Sequence, residues 1–520
     1  MNSKLKTLVV IIFFFMTKNN QAQNKIIAAP TPAPTSNFPY CVHYEIFVRS
    51  FCDANDDGIG DLKGITTKWD YLNGLGVEGI WLTPIFSSPS YHKYDVTDYY
   101  NVDKEYGNTE WFDSFIKDAH KHNIKVILDL PLNHCSNKHM WFVDAVKNPK
   151  SIYRDYFIWS DKPGADKEHW HLPKDDKGKT IGNKYYYGFF SADMPDFNYD
   201  NPEVVNEAKK IASFWLREKK VDGFRLDAAQ HIFDDSKKTI AFWEKFRVAC
   251  LEANPRAFLV GEVGNTHETI GPYLQSAMSA CFDFDLSSLI LDVIKNENAG
   301  SFNKKFEGIL STYAAYNRNF MDATFLSNHD QERVMSQLKG NTDKAVLAAA
   351  ILLTLPGSPF IYYGEEIGML GKKPDEHIRE PMLFDSEKKD TMRTRWITPI
   401  YNTDATIFPA EAQKFESTSL LSRYQQLIIL RKGIAALAYG KFEPSSIALK
   451  DVIGFFRTYN KQRCLVLHNL SSKSITLVMG DAEKNYTQSL YQTSKLISIS
   501  NGQITLAPYA SLVLREPAIK

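Results

Sequence analysis

Gly223-Phe224-Arg225-Leu226-Asp227 is a short apolar strand that ends in an acid. Two further stretches share this pattern, Leu259-Val260-Gly261-Glu262 and Phe325-Leu326-Ser327-Asn328-His329-Asp330. Acids at the ends of buried strands are costly to keep beside one another, so three of them indicate a site rather than a requirement of the fold. Two carboxyls suit the cleavage of a glycosidic bond, because one attacks the anomeric carbon or activates water while the other protonates the leaving oxygen.

Apolar strand-like runs alternate with helix-period segments around these stretches, which predicts repeated βα units and a parallel sheet. We expect strands at 42–51, 79–85, 125–132, 223–228, 258–263, 281–286, 321–327 and 360–363. We expect helices at 109–122, 202–219, 304–316, 343–355 and 417–431. Eight strands with helices between them predict an α/β fold, the (β/α)8 TIM barrel, whose chemistry lies at the C-terminal strand ends.

Two regions depart from the βα pattern. Residues 135–201, after the third strand, are irregular and rich in Trp, Tyr, His, Asp and Gly, and loops of this length are usually functional. Beyond residue 432 short β-like runs replace the helices, at 452–458, 464–470, 474–478 and 511–514. We therefore expect a barrel formed by 38–134 and 202–431, an insertion at 135–201, and a C-terminal β-sandwich at 432–520.

The first residues are typical of an export signal. Lys4 and Lys6 form a basic start, residues 8–16 an apolar run too short to span a bilayer, and Ala22 a small residue suited to cleavage. We expect a signal peptide at 1–23 and a flexible, proline-containing leader at 24–37, with a lone membrane anchor as the alternative. The mature chain is then exported, to the periplasm or beyond the cell, without membrane insertion.

Composition narrows the class of partner. Lys+Arg and Asp+Glu both number 61, so no net field steers nucleic acid or an anionic membrane to the chain, and a neutral soluble substrate fits better. The six cysteines include no close CxxC pair of the kind that holds zinc. A Cys41–Cys52 bridge is one possibility, but buried free thiols are favoured. A monomer is favoured as well.

Five segments together resemble a known family. Asp129-Leu130-Pro131-Leu132-Asn133-His134 lies upstream of the three acid-ending strands, and Met194-Pro195-Asp196-Phe197-Asn198 lies between the first and second segments. In this order they resemble the signature segments of the α-amylase family of glycoside hydrolases, over a match from about Tyr40 to about Arg431. The resemblance implies the barrel, with 135–201 as the family's domain B and the C-terminal sandwich as its domain C.

The resemblance also implies roles for the three acids. By matched position Asp227 is the nucleophile, Glu262 the general acid/base, and Asp330 the acid that holds sugar hydroxyls and supports transition-state charge. Arg225 is expected to lower the pKa of Asp227, while partial burial and a nearby carboxylate keep Glu262 protonated. A retaining double displacement places the two carboxyls about 5–5.5 Å apart. The alternative is that these acids merely cap barrel strands.

Several polar side chains are expected to bind substrate. In the family, two histidines bond the sugar at the cleavage point, and an aromatic residue stacks beneath it beside a further histidine. The matching residues, together with the arginine of the fourth strand and a later arginine, are Tyr94, His92, His134, Arg225, His329 and Arg379. Lys93 stands where glycine is common, which predicts a differently shaped loop. For Arg379 a surface ion pair is an equal alternative.

Asp53-Ala54-Asn55-Asp56-Asp57-Gly58-Ile59-Gly60-Asp61 places oxygen ligands at alternate positions with glycine for a tight turn. This resembles an EF-hand loop without its terminal Glu, and it predicts one structural Ca²⁺. The expected ligands are Asp53, Asn55, Asp57, Asp61 and the Ile59 carbonyl. The alternative is an ordinary polar turn. The resemblance further implies a second Ca²⁺ held in part by Asn133 and His231.

Finer features bear on the reaction. Met194-Pro195-Asp196-Phe197-Asn198 resembles the form found in members intermediate between oligo-1,6-glucosidases and neopullulanases, which implies hydrolysis of internal α-1,4 bonds of starch or maltodextrins. Gln230 replaces a common lysine and Gly264 a common aromatic residue, both at positions that affect binding. The alternatives are an exo-acting α-glucosidase, an oligo-1,6-glucosidase, a transglycosylase and, more remotely, a non-catalytic glycan-binding homologue.

Overall fold

A computed structural model describes residues 38–175, 177–264, 266–447, 449–500 and 502–517 of the chain. The expected signal peptide at 1–23 and leader at 24–37 lie outside these described residues. No helix within the described ranges is long and apolar enough to cross a membrane.

Eight parallel strands close into a barrel, each paired with the next in the chain and the last with the first. They are β1 His43–Ile46, β2 Gly79–Leu82, β3 Lys125–Leu130, β4 Gly223–Leu226, β5 Phe258–Gly261, β6 Ala280–Phe282, β7 Met321–Phe325 and β8 Ser358–Tyr362. All eight runs expected from the sequence overlap one of these strands, although the sixth and eighth strands begin one and two residues earlier than expected. The predicted fold class is confirmed.

Two strands are shorter than expected because the apolar run continues into a helix. After β1, residues Val48–Phe51 form a helical turn that is still mostly buried. After β6, the helix Phe284–Lys295 begins two residues beyond the strand, since the Asp283 side chain accepts a 2.8 Å hydrogen bond from the backbone N–H of Leu286. The apolar residues therefore predicted burial correctly but did not predict where each strand ends. After β6 that point is set by the side-chain cap of the following helix.

A shell of helices surrounds the barrel. Its longer members are Trp69–Leu75, Thr109–Lys121, Pro202–Ser213, Ser236–Ala253, His267–Ser276, Phe284–Lys295, Phe302–Tyr316, Thr342–Thr354 and Leu420–Gly433. The helix expected at 202–219 begins at Pro202 behind an Asn201 cap and changes to a π-helical turn over Phe214–Glu218. Inside the barrel, the core is filled by large side chains that include Trp81, Phe258 and Phe360.

The excursion after β3 contains the helix Met140–Lys147 and a three-stranded antiparallel sheet of Trp159–Ser160, Trp170–His171 and Tyr185–Tyr187. Its return to the barrel is fixed by a bridge between His134 and Asp196, so the two ends of the excursion lie together. This pairing brings the segment around Asp196 to the strand end that carries His134.

The C-terminal residues form two antiparallel sheets over one apolar core. The larger contains Lys441–Pro444, Val452–Tyr459, Gln462–Asn469, Gln488–Gln492 and Ser511–Arg515, and the smaller Ile475–Val478, Ser498–Ser500 and Gln503–Leu506. Leu465 and Leu512 from the first sheet pack with Ile504 and Leu506 from the second, so the two sheets form a sandwich. All six cysteines of the chain are buried and unbridged, which confirms the expectation of free thiols.

Candidate active site

One buried guanidinium gathers three acids at the C-terminal end of the barrel. Arg225 lies on β4 in register with Asp129 on β3, and Asp227 and Glu262 directly follow β4 and β5. The Arg225 Nη1 donates to Asp227 Oδ1 at 2.5 Å and to Asp129 Oδ1 at 2.9 Å, while Nη2 lies 2.9 Å from Glu262 Oε2. The fork of one side chain therefore fixes Asp227 and Glu262 beside each other.

Each of these two acids keeps one oxygen uncommitted. Glu262 Oε2 accepts from Arg225 and, at 3.0 Å, from the backbone N–H of Ala228. Glu262 Oε1 and Asp227 Oδ2 have no hydrogen-bond partner among the described residues. Since the Glu262 side chain is 27% exposed and that of Asp227 11%, both acids still reach open space at the barrel mouth.

The third acid sits between two cations. Asp330 Oδ2 is 3.0 Å from His329 Nε2, and Asp330 Oδ1 accepts from Arg379 Nη2 at 2.8 Å. On its other side, the His329 ring places Nδ1 2.5 Å from Glu45 Oε1, a residue of β1. With carboxylates at both ring nitrogens, His329 is held as a cation, and Asp330 is oriented by contacts from distant parts of the chain.

A tyrosine links the two halves of the network. Tyr94 donates to Asp129 Oδ2 at 2.9 Å, its hydroxyl lies 2.6 Å from His329 Nε2, and its ring stacks on the His329 ring at 5.5 Å. Asp129 Oδ2 also accepts from the indole N–H of Trp81 at 3.2 Å. Asp129 is therefore saturated with donors and completely buried, as befits a residue that orients Arg225 rather than contacts a ligand.

Burial dominates the pKa values of the two central acids. Burial raises the pKa of Glu262, and the Asp227 and Asp330 charges add to that rise, although Arg225 opposes it. This direction agrees with the sequence expectation for a group that carries a proton. For Asp227 burial raises the pKa above the ordinary value; Arg225 lowers it, as the sequence predicted, but offsets only part of that rise.

The Asp330–His329 pair is shifted in the opposite sense. Partial burial alone would raise the pKa of Asp330, but His329, Arg379 and Arg225 together hold it well below its usual range. Burial likewise works against the charged form of His329, yet Asp330 and Glu45 raise its pKa to about 10. Asp330 is therefore an anion at every ordinary pH.

Two further histidines have ring nitrogens available for a ligand. His134 is buried, its pKa is lowered to about 4 by burial, and neither ring nitrogen has a partner within the described chain. His92 uses Nδ1 to accept from the backbone N–H of Tyr94 at 3.1 Å, and burial lowers its pKa. Both are thus neutral imidazoles that present unused hydrogen-bonding capacity.

Lys93 is a non-glycine residue in a backbone conformation that favours glycine. Its φ is +67°, in the left-handed region that glycine adopts without strain. The side chain turns inward, where its ammonium lies 2.7 Å from Glu105 and 3.1 Å from Asp103. The lysine therefore ties the loop that carries His92 and Tyr94 to the body of the barrel.

Arg379 is 3% exposed, which removes the surface ion pair as an explanation. Its Nε donates to the His329 carbonyl at 2.8 Å, and its other nitrogens bond Asp330, Asp375 and the Tyr91 hydroxyl. All of its nitrogens are thus engaged by protein. Arg379 orients Asp330 and does not reach outward in the manner expected of a direct substrate ligand.

The candidate calcium loop has the right donor chemistry in a turn that is already hydrogen-bonded. Asp53 accepts from the N–H groups of Asn55 and Gly58, and Asp57 from that of Ile59. Asp61 accepts from Gly64 at 2.7 Å and caps the following helix. Over the residues that the structure covers, no three His, Cys, Asp or Glu side chains are gathered as a metal-binding group, and this loop is no exception.

The two residues proposed for a second calcium have separate partners. Asn133 donates a 3.0 Å hydrogen bond to Asp196. Asp196 is buried, and burial raises its pKa to about 7. His231 Nε2 lies 3.0 Å from Gln230 Nε2, and its ring packs on Phe189. The structure gives no geometry that joins Asn133 and His231 around one ion.

Gln230 and Gly264, two residues that depart from the family pattern, contact each other. Gln230 Oε1 accepts from the backbone N–H of Gly264 at 2.8 Å. A Cβ at position 264 would meet that Oε1 at 2.4 Å, so Gln230 occupies the room that a side chain there would need. Gly264 follows Glu262 by two residues, so this contact fixes the backbone just beyond the acid/base.

Sequence reasoning missed Glu45 and Trp81, and it assigned no role to Asp129. Glu45 and Asp129 are completely buried acids within otherwise apolar strands. Acids are rarely buried without a partner, so an acid within a predicted buried strand was the feature of the sequence that could have identified them. Their partners lie far away in the chain, so their function follows only from the closed barrel.

Comparison with known proteins gives matches along nearly the whole described chain. The family model described as "Alpha amylase, catalytic domain" matches residues 45–440, and that described as "Alpha-amylase SusG C-terminal domain" matches 452–513. "Alpha-amylase 3" of Dictyoglomus thermophilum is 40% identical over 477 residues, 92% of this chain and 93% of its own length. "4-alpha-glucanotransferase" of Thermotoga maritima is 34% identical over 84% of this chain and 96% of its own.

A solved structure agrees with the sequence matches. The crystal structure of an alpha-amylase from H. orenii has 41% sequence identity and superposes with a TM-score of 0.84, covering 92% of this chain and 99% of that one. The barrel, the three acids at its mouth and a catalytic-domain match over more than half of the chain agree. The chain belongs to the α-amylase family and is a glycoside hydrolase.

Proposed function

We propose that this enzyme hydrolyses internal α-1,4-glucosidic bonds of starch or maltodextrins with retention of anomeric configuration. One observation carries the proposal: the Arg225 guanidinium holds Asp227 and Glu262 side by side, each with one free oxygen. We infer retention from this shared contact, because a covalent double displacement needs the two carboxyls about 5–5.5 Å apart, whereas an inverting enzyme needs room for a water between them.

In the first step Asp227 Oδ2 attacks the anomeric carbon. The bond from that carbon to the leaving oxygen breaks, and Glu262 gives its proton to that oxygen. The proton sits on Oε1, because Oε2 already accepts from two N–H donors. In the second step Glu262 takes a proton from water, the hydroxide oxygen bonds to the anomeric carbon, and Asp227 leaves as a carboxylate.

The surrounding groups hold the sugar and its developing charge. Asp330, kept ionised by His329 and Arg379, supplies negative charge beside the oxocarbenium-like transition state. His134 and His92 offer neutral ring nitrogens to the sugar hydroxyls, and Tyr94 offers its ring. Arg225 and Arg379 act as positioning residues for the acids.

Hydrolysis and glycosyl transfer share the first step and differ in the acceptor. The relatives carry both names, alpha-amylase and 4-alpha-glucanotransferase. The 40% identity to the first, over 92% of the chain, supports hydrolysis as the main outcome. An exo-acting α-glucosidase would release glucose alone, so product analysis separates the three reactions.

The decisive experiment follows the products from soluble starch, with maltose and isomaltose as comparison substrates. We expect a mixture of maltodextrins, formed first as the α-anomer, and little action on isomaltose. Longer products than the starting maltodextrin would identify a transferase. Asp227→Asn should lower turnover on starch by about ten-thousandfold or more, because the attacking carboxylate is gone.

A second variant separates the two carboxyl roles. Glu262→Gln removes the proton donor, so it should be far slower on starch than on α-maltosyl fluoride, whose fluoride leaves without protonation. Asp227→Asn should be equally impaired on both substrates. If the two variants lose activity on the two substrates in the same ratio, the roles are misassigned.

We also propose that the loop of Asp53, Asn55, Asp57, Ile59 and Asp61 binds one structural Ca²⁺, and that the enzyme acts as an exported monomer. The oxygen donors at alternate positions support the metal proposal. Chelation should then lower the melting temperature, and Asp57→Asn should remove that effect. The same melting temperature with and without chelator would leave the loop as a polar turn.

A further inference from the structure

Trp396 follows β8 in the chain, yet its ring lies close to the catalytic end of the barrel. It stacks on the ring of Tyr91, with centroids 5.2 Å apart and an angle of 18° between the planes. The Tyr91 ring in turn meets the ring of His92 edge-on at 5.3 Å. The stack therefore extends to a histidine that offers a ring nitrogen to the sugar.

Hydrogen bonds connect the same stack to Arg379 at two points. The Tyr91 hydroxyl accepts from Arg379 Nη1 at 2.9 Å, and the Trp396 indole N–H donates to Ser50 Oγ at 2.8 Å. Ser50 Oγ in turn donates to the backbone carbonyl of Arg379. Because Arg379 Nη2 donates to Asp330 at 2.8 Å, both connections end at the third acid.

The Trp396 ring is itself occupied by protein neighbours. Besides Tyr91, it has the Arg49 guanidinium 5.5 Å from its centroid and the Phe47 ring at 6.3 Å. Its N–H is already given to Ser50. Trp396 is therefore placed to hold its neighbours rather than to stack on a sugar.

The segment that leads to Trp396 is fastened to the polar turn of the candidate calcium loop. The backbone N–H of Asp53 donates to the carbonyl of Met392 at 2.8 Å, and the N–H of Arg395 donates to the carbonyl of Gly58 at 2.7 Å. These backbone contacts set the position of the indole without any contribution from the catalytic acids.

We propose that Trp396 is a positioning residue for the reaction: it fixes Tyr91 and Ser50, and through them the Arg379 side chain that orients Asp330. The proposal rests on the proposed function for the role of Asp330 in the transition state. A loosened Arg379 would leave Asp330 in the reacting orientation in fewer molecules, so the loss should appear in kcat rather than in KM.

The test compares kcat and KM of two variants on maltoheptaose. Trp396→Leu removes both the ring and the N–H, so kcat should fall about tenfold while KM stays within about twofold of the wild type. Trp396→Phe restores a ring but not the N–H, so it should recover most of that loss. Trp111→Leu is the matched control: Trp111 is also half-buried, with the Lys63 ammonium 3.6 Å from its ring centroid, but it lies on the helix Thr109–Lys121. This control should lower the melting temperature without changing kcat.

A double-mutant cycle separates positioning from a general loss of packing. Tyr91→Phe keeps the ring but removes the hydroxyl that accepts from Arg379. If Trp396 acts through that hydroxyl, Trp396→Leu should lower kcat only about threefold in the Tyr91→Phe enzyme, against about tenfold in the wild type. Should Trp396→Leu not fold, the same cycle is measured with Trp396→Phe, whose smaller loss should likewise shrink in the Tyr91→Phe enzyme.

A wild-type kcat in Trp396→Leu would overturn the proposal, as would purely additive effects in the cycle. A higher KM at unchanged kcat would also overturn it, because Trp396 would then contact the sugar directly. Failure of the catalytic proposal looks different: Asp330→Asn would keep its activity, whereas the positioning proposal fails alone if Asp330→Asn is inactive and Trp396→Leu is unimpaired.

Discussion

Arg225→Lys tests whether one guanidinium organises the two reacting carboxyls. The change keeps the positive charge but replaces a fork by a single ammonium. Arg225 reaches Asp227 and Asp129 through Nη1 and Glu262 through Nη2, and one ammonium cannot hold both ends of that arrangement. Two charge-assisted hydrogen bonds of about 1.5–3 kcal/mol each are lost, about 3–6 kcal/mol in total.

If that energy is realised in the transition state, kcat/KM falls by about a hundred- to ten-thousandfold. The pH profile supplies a second readout. Arg225 offsets the rise that burial causes in the Asp227 pKa, so a weaker contact lets that pKa rise further. Because Asp227 must be ionised to attack, the acid limb of kcat/KM should move to higher pH when measured on maltoheptaose from about pH 4 to about pH 9.

Arg431→Lys is the matched control for this experiment. Arg431 is also buried, but it donates only to backbone carbonyls of Leu353, Leu355 and Gly357. Its replacement should lower the melting temperature while the pH profile stays in place. The reasoning is refuted if Arg225→Lys retains kcat/KM within about tenfold of the wild type with an unmoved acid limb.

Three further predictions concern the surroundings of the acids. The pKa of His329 is raised from 6.5 to about 10. Its contribution to the free energy of unfolding is therefore complete below about pH 6.5 and is lost as the pH rises towards about 10. Urea unfolding across this pH range should show that loss, and His329→Gln should abolish it. Lys93→Gly relieves a left-handed backbone but removes the cation beside the buried Asp103 and leaves Glu105 with Arg49 alone, so the free energy of unfolding should fall by about 2–4 kcal/mol in a denaturant titration. Gly264→Ala should displace Gln230 and lower kcat/KM on maltoheptaose, and adding Gln230→Ala should restore part of the loss; purely additive effects in this double-mutant cycle would show that the two positions are independent.

The sequence predicted the barrel and the strand ends that carry the acids because both depend on local patterns. Apolar runs locate buried strands, and an acid at the end of such a run is visible without a structure. Helix positions were also predicted to within a few residues, as for the helix Thr342–Thr354, expected at 343–355. Strand ends after β1 and β6 were predicted too far along, since apolar helical turns follow both.

The electrostatics of the site were less predictable because they depend on contacts between distant residues. Glu45 and His329 are 284 positions apart, and Arg379 reaches Asp330 across 49. Proximity of Arg225 in the sequence suggested a low pKa for Asp227, but the desolvation of a closed barrel end outweighs one neighbouring charge. Only the fold reveals how much water each acid has lost.

The balance of charge in the site bears on which acid carries a proton. Five carboxyls, those of Glu45, Asp129, Asp227, Glu262 and Asp330, surround three cations, Arg225, His329 and Arg379. Full ionisation would leave two uncompensated negative charges in a largely buried space, which is unfavourable, so the site retains protons near neutral pH.

Where the protons reside follows from the donors already in place. Asp330 is ionised because two cations contact it, and Asp227 Oδ1 receives the shortest Arg225 contact, 2.5 Å. Burial raises the pKa of Asp129 to about 7, but all its contacts are with donors, so a proton there would displace one of them. Glu262 and Asp227 both combine a raised pKa with a free oxygen, but Asp227 has the shorter contact with Arg225, at 2.5 Å against 2.9 Å, and Glu262 is the more exposed of the two. We therefore expect the proton on Glu262 Oε1, where it disturbs no contact. The same network that leaves Asp227 able to attack therefore leaves Glu262 able to donate.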